Sequence, residues 1–236
     1  MKQRFTLIKV AVVFWLTIFS LSAFAQSSTS SASPFAGPSD ATTAPPATAT
    51  DAGLGQVLCA GSTITLKGDA DPSVSKYQWY KVNSSGTKTL VYEGTTNSYT
   101  ETAAGAGYYI YYLVKVNSNT CTSDVSDPFK LYVLPALNPT VDGGNSVCEK
   151  NQSTTDLKVA GLDSRFSYTY QWTRNGSNIT TDGTSATYTV KEATAGTVKY
   201  AVNVAYTLKS SCTATSPDKS VTVVPVPTKP TITFGN

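Results

Sequence analysis

The tripeptide Tyr77-Gln78-Trp79 returns as Tyr170-Gln171-Trp172, and its surroundings return with it in the same order. Cys59 is matched by Cys148, Ser98-Tyr99-Thr100 by Thr187-Tyr188-Thr189, and Cys121 by Cys212. With the tripeptide in its place the four offsets are 89, 93, 89 and 91 residues. Leu131-Tyr132-Val133-Leu134-Pro135 closes the first copy, and Val221-Thr222-Val223-Val224-Pro225 closes the second. One period of about ninety residues fits all of these matches, so the chain holds two copies of one domain.

Both copies read as β-structure. Thr63-Ile64-Thr65-Leu66, Tyr111 to Val116, Tyr200 to Val204 and Ser220 to Val223 are short runs rich in β-branched and aromatic residues, most of them alternating apolar with polar. Asp71-Pro72, Ser85-Gly86, Asn175-Gly176 and Asp182-Gly183 are turn signals between such runs. No convincing helical period appears after the first 25 residues. Many short strands at this spacing predict sandwiches, because a sheet with one apolar face must bury it against another.

Cysteine, a strand reading Tyr-Gln-Trp, a Tyr/Val-rich strand and a second cysteine together resemble the immunoglobulin pattern. The chain is similar to the Ig-like and PKD-like repeats of secreted and cell-surface proteins of the Bacteroidetes. The Trp-Asp-Phe-Gly-Asp-Gly signature of PKD repeats is absent, so Ig-like is the closer description. The resemblance covers residues 54 to about 226 and implies no enzymatic activity. It implies an all-β fold of two tandem immunoglobulin-like sandwiches, at 54–135 and 136–226, with Trp79 and Trp172 in their cores. In the immunoglobulin pattern tryptophan follows the first cysteine by roughly a dozen residues, whereas here the gaps are 20 and 24. Alignment on tryptophan puts Leu66 or Gly68 at the usual place of the first cysteine, and Val114 and Val202 at that of the second. The four cysteines therefore fall outside the central core. Pairs Cys59–Cys121 and Cys148–Cys212 are expected, each stapling one end of its own sandwich.

The first 25 residues have a basic start (Lys2, Arg4, Lys9), an apolar stretch from Val10 to Leu21, and Ala23-Phe24-Ala25. This is the layout of a secretory signal peptide cleaved before Gln26, and the apolar run is short for a membrane anchor. The protein is expected to be exported to the cell surface, the extracellular space or the periplasm, and not to span the membrane after cleavage. Loss of three cationic residues and no acidic ones takes the formal charge from +3 to 3 − 3 = 0. A neutral chain has no electrostatic footprint for nucleic acid. Four cysteines, an even number, suit an oxidising compartment. Residues 26–53, almost wholly Ser, Thr, Ala, Pro, Gly and Asp, read as a flexible linker, with a glycosylated stalk as the other reading.

The chain contains no histidine, which excludes every mechanism needing an imidazole base, triad member or ligand. With the cysteines assigned to disulfides and no phosphate loop or carboxylate pair in context, no catalytic residue, cofactor or metal is expected. Asp69 and Asp71, with Asp124 and Asp127, offer carboxylates for calcium but no recognisable loop motif, and a solvated loop is the plainer reading. Alternation along Tyr108 to Tyr112 must send some rings outward. Tyr109 and Tyr111 are the candidate ligand contacts, since an exposed tyrosine can stack on a glycan or anchor a protein. The expected function is a non-catalytic surface spacer and adhesion module, whose partner would be a surface protein or glycan. The alternative is a carbohydrate-binding accessory module using those tyrosines.

Pro230-Thr231-Ile232-Thr233-Phe234-Gly235-Asn236 matches Pro139-Thr140-Val141-Asp142-Gly143-Gly144-Asn145, which opens the second repeat. Residues 227–236 thus read as the start of a third repeat or a tail, and further Ig-like repeats are expected in a longer chain.

Overall fold

A computed structural model describes residues 37–51 and 53–234. The segment expected to be a signal peptide lies outside them. The first repeat folds as β1 (Leu54–Leu58), β2 (Thr63–Lys67), β3 (Val74–Val82), β4 (Lys88–Gly94), β5 (Ser98–Thr102), β6 (Gly107–Asn117) and β7 (Phe129–Val133). The second gives β8 (Thr140–Gly143), β9 (Ser146–Cys148), β10 (Thr155–Ala160), β11 (Tyr168–Arg174), β12 (Ser177–Asn178), β13 (Thr187–Val190), β14 (Gly196–Tyr206), β15 (Thr213–Thr215) and β16 (Lys219–Val224). No helix occurs among the described residues.

Each repeat is a two-layer sandwich. In the first, the sheet β1-β7-β6-β3-β4 faces the pair β2-β5. In the second, β12-β11-β14-β16-β9 faces β13-β10-β8, and β15 adds to β14. The opening strand of each large sheet runs parallel to the closing one, β1 to β7 and β9 to β16, while every other named pair is antiparallel.

Alternation along the strands builds the two cores. Ile64, Leu66, Trp79, Val91, Tyr99, Tyr109, Tyr111, Leu131 and Val133 fill the first. Leu157, Trp172, Val190, Val198, Tyr200, Val202, Val204, Val221 and Val223 fill the second. Both tryptophans are core residues, Trp79 at 4% and Trp172 at 0% exposure. Trp172 stands opposite Val202, but Trp79 stands opposite Leu113, so the expected role of Val114 moves by one residue. A shift of one along a strand exchanges its faces, and Leu113 is the residue that packs on the first core.

Both repeats delay their closing strand in the same way. The Leu113 amide donates to Ser126 Oγ, and the Val202 amide donates to Ser216 Oγ. Each serine amide donates back to the carbonyl of the same residue, which lets the loop leave the sheet without stranding a buried backbone group.

Candidate functional site

Parallel pairing of β1 with β7 decides where the cysteines lie. Leu58 is opposite Val133, and so is Gly107 at the start of β6, which puts Cys59 at that pole of the first sandwich. Cys121 follows Asn117, at the other end of an eleven-residue strand. At about 3.3 Å per residue the two poles are roughly 30 Å apart, far beyond the Cα separation of about 6 Å that a disulfide needs. The second sandwich repeats this layout. Cys148 lies opposite Val224 beside the Gly196 end of β14, and Cys212 lies beyond its Tyr206 end.

The expected pairs Cys59–Cys121 and Cys148–Cys212 are therefore not the ones found. Cys59 bonds Cys212, with 5.3 Å between Cα atoms and 153 residues between them in sequence. Cys121 and Cys148 are free and exposed. The disulfide joins the two sandwiches where the end of one meets the start of the next.

A third apolar cluster surrounds this bond. Val57, Tyr108, Tyr132 and Leu134 of the first sandwich meet Phe166, Tyr206 and Cys212 of the second. The rings form a chain: Tyr108 edge-on to Tyr132 at 4.8 Å, Tyr132 to Phe166 at 6.4 Å, and Phe166 edge-on to Tyr206 at 5.2 Å between centroids. Tyr206 donates its hydroxyl proton to the Pro135 carbonyl at 2.9 Å, which satisfies the one polar atom its burial would strand. Each large side chain buried here contributes about 1.5–3 kcal/mol. Val57, Tyr108 and Tyr132 lie on the outer face of the first large sheet, whereas Tyr206 continues the inward face of β14 beyond its core, so the two sandwiches share what amounts to an additional small core.

Residues 37–51, within the expected flexible linker, complete the clasp. Asp40 exchanges two backbone hydrogen bonds with Tyr108, the Ile110 amide donates to Ser39 Oγ, and the Tyr108 hydroxyl donates to the Ala44 carbonyl. Pro45 and Pro46 run on beside Arg165, Phe166 and Leu208. The segment is poor in large apolar groups, yet it finds backbone partners on the part of β6 that β3 leaves uncovered, and this docking offsets the cost of ordering it.

The candidate ligand contacts Tyr109 and Tyr111 are both 0% exposed. Alternation sends Tyr109 and Tyr111 inward and turns Tyr108, Ile110 and Tyr112 to the other face. Neither inward ring can touch a glycan. They belong instead to a buried polar group that the repeat conserves between its copies. Lys81, fully buried, places Nζ 2.6 Å from Glu101 Oε1 and 4.6 Å from the Tyr109 ring centroid. Tyr99 donates to Glu101 Oε2 at 2.6 Å, and Tyr111 donates to Oε1. In the second sandwich Arg174 makes a two-pronged contact with Glu192, at 2.7 and 2.6 Å, and Tyr200 donates to the same carboxylate.

Burial sets the titration of these groups. Loss of solvent lowers the Lys81 ammonium below its usual range, against the opposing pull of Glu101. The Arg174 hydrogen bonds hold Glu192 below the ordinary carboxylate value in spite of its burial. The Tyr109 phenol is pushed up to about 12, chiefly by burial and then by the nearby Glu101.

The acidic residues weighed for calcium are otherwise engaged. Asp69 and Asp71 both face Lys115, and Asp71 accepts from the amide and hydroxyl of Ser73. Among the described residues no group of three or more His, Cys, Asp or Glu could hold a metal ion.

Fold and clasp together define a tandem immunoglobulin-like β-sandwich protein. Residues 45–135 match the family model described as "Ig-like domain CHU_C associated", which agrees with the resemblance to Bacteroidetes repeats and reaches back into the docked segment. Among solved structures, the fibronectin(III)-like modules of Clostridium thermocellum CbhA are 21% identical, covering 77% of this chain and 96% of theirs at a TM-score of 0.40. The FN1-FN3 domains of chicken CNTN1 are 10% identical over 71% of this chain and 62% of theirs, at 0.37. A chicken TCR is 14% identical over 71% and 96%, at 0.28. No curated protein matches the chain. No helix among the described residues is long and apolar enough to cross a membrane.

Proposed function

We propose that the chain is a non-catalytic, exported spacer and adhesion module, which holds whatever it carries at a fixed distance and angle from its anchor. The supporting observation is the clasp. Two sandwiches joined by a short linker alone would move freely, because interfaces between domains of one chain are usually modest and polar. Here an aromatic cluster, a docked N-terminal segment and the Cys59–Cys212 bond all act on the same joint. A rigid joint is useful to a spacer. The disulfide suits an oxidising compartment, in keeping with the leader-like first 25 residues.

Rigidity is tested by small-angle scattering of the purified chain. One fixed arrangement should fit the oxidised protein, and a broad ensemble of inter-sandwich angles would refute the spacer reading. Adhesion is tested with beads carrying the chain, passed over immobilised polysaccharides and cell-surface proteins. Retention on none of them would reject the adhesive part and leave the spacer.

A further inference from the structure

The small sheet of the first sandwich has one strand fewer than that of the second. The outer edge of β10 is covered by β8, whereas β2 pairs with β5 alone. Register equates the two edges. Leu157 faces Tyr188 as Leu66 faces Tyr99, so Lys158, Val159 and Ala160 correspond to Lys67, Gly68 and Asp69. The chain that would supply the missing strand is diverted: the Ala47 and Thr48 amides donate to the Asp51 carboxylate in a turn, after the preceding residues have docked on β6. An open groove of about 330 Å³ remains, lined by Leu66, Gly68, Trp79, Leu113 and Phe129. The buried indole N–H of Trp79 has no hydrogen-bond partner, while that of Trp172 donates to the Ser185 carbonyl.

A segment whose sequence fits this edge is present at the other pole of the protein. Thr231-Ile232-Thr233 repeats Thr140-Val141-Asp142 of β8, whose Val141 packs on the second core. Ile232 and Phe234 are almost wholly exposed. Phe234 corresponds to Gly143, which has φ +136 and would place a Cβ 2.2 Å from the Asp156 carbonyl oxygen, so the pairing stops at Thr233.

The free cysteines mark the same two poles. Cys148 lies opposite Val224, where the chain leaves β16 toward Thr231. Cys121 lies beside Asp71 and Lys115, and Lys115 also binds Asp69 at the end of the open edge. Cys121 corresponds to Cys212 and Cys148 to Cys59, so they are the two unused halves of the bond that already joins the sandwiches.

We propose that copies of this chain associate head to tail: residues 231–233 of one copy add to the free edge of β2 in the next, with Thr231 opposite Asp69, Ile232 opposite Gly68 and Thr233 opposite Lys67. Cys148 of the first copy then bonds Cys121 of the second. An unpaired edge is a template for a strand from another chain, and a head-to-tail contact that does not close produces an open filament. The two thiols release two protons and two electrons to a disulfide donor such as oxidised glutathione, which leaves as two thiols. The aromatic clasp has no counterpart at this joint. Ser73, Ser75 and Asn117 stand where Phe166, Tyr168 and Tyr206 stand in the second sandwich, so the strand and the disulfide carry the contact.

The test is oxidation of the purified chain in a glutathione buffer, followed by non-reducing electrophoresis and peptide mapping. The wild type should give a ladder whose new bond joins Cys148 to Cys121. Cys121→Ser and Cys148→Ser, each alone, should remain monomeric, and their mixture should give a dimer and nothing larger. Ile232→Asp, at an exposed position outside both cores, should lower the yield of that dimer by about tenfold or more while the monomer keeps its circular dichroism. Homodimers of either single variant at the mixture's rate would show unspecific thiol oxidation and overturn the assembly. So would a monomeric wild type, whether its thiols stay free or pair within one chain. An Ile232→Asp variant that dimerises at the full rate would overturn the strand addition.

Discussion

Cys59 and Cys212 are bonded across 153 residues of sequence because the first strand of each large sheet runs parallel to its last. That one topological choice sends the two cysteines of each repeat to opposite poles, and the bond must then form between repeats. In the chain-entropy treatment a loop of this length is worth about 5 kcal/mol.

Replacing Cys59 with serine should lower the stability of the docked pair by about 2–4 kcal/mol, since delivered values fall short of the loop estimate. Urea denaturation reads the loss. Non-reducing peptide maps of the wild type should contain one fragment joining Cys59 to Cys212 and none joining Cys59 to Cys121.

Phe166 sits between Tyr132 of the first sandwich and Tyr206 of its own, at 6.4 and 5.2 Å from their ring centroids. Phe166→Ala should cost about 3–5 kcal/mol at the joint, by lost burial and the cavity left behind. Amide exchange should speed up around Tyr132 and Tyr206, with little change at Trp79 in the first core.

What the sequence made legible follows its periodicities. The Tyr-Gln-Trp strands and the ninety-residue period place both cores, because alternation and repetition are local signals. The cysteine pairing is not local: it depends on strand direction at the sheet edge, and the sequence near Cys59 reads the same for a parallel or an antiparallel neighbour. Tyr108 to Tyr112 carry no polar residue to mark the outward face, so Tyr109 and Tyr111 were open to the wrong assignment. The buried charges did leave a signal. Lys81 and Arg174 each follow a core tryptophan by two residues, which in a strand means the same inward face. A cation at an inward position in both copies calls for a buried partner, and Glu101 and Glu192 supply it. The docked segment 37–51 gave no such sign, because backbone groups and the Ser39 hydroxyl hold it on β6 and neither makes an apolar pattern.

Lys81→Met should destabilise the first sandwich by about 3–5 kcal/mol, since it leaves the Glu101 carboxylate buried without its cation. Adding Glu101→Leu should return most of that loss, because an apolar pair of similar size replaces a costly ionic one. Thermal denaturation of the two variants separates these outcomes. If the double variant is as unstable as the single, the tyrosine hydroxyls and not the charge pair set the cost.

Alkaline stability follows from Tyr109. Its phenol is raised from 10.0 to about 12 in the folded chain, so its contribution is complete below pH 10 and is lost as the pH rises toward 12. The loss amounts to about 2 kcal/mol over that interval. Denaturation midpoints measured from pH 9 to 12 should fall less steeply in Tyr109→Phe than in the wild type, and ultraviolet titration should show one fewer late-ionising phenol.

The acid limb runs through Glu192. Its folded value is depressed, first by the Arg174 hydrogen bonds and then by that of Tyr200, with burial opposing. A depressed carboxylate stabilises the fold above its unfolded value of 4.5, and that contribution disappears as the pH falls through the folded value. Arg174→Met removes the larger cause and leaves burial, so Glu192 should take up its proton at higher pH and the acid unfolding midpoint should move upward. The Arg174 side chain is 46% exposed, so solvent screening holds the cost at neutral pH to about 1 kcal/mol. Tryptophan fluorescence followed from pH 7 to pH 2 measures both quantities. A midpoint unmoved by Arg174→Met would mean that the Tyr200 hydroxyl alone keeps the buried carboxylate ionised.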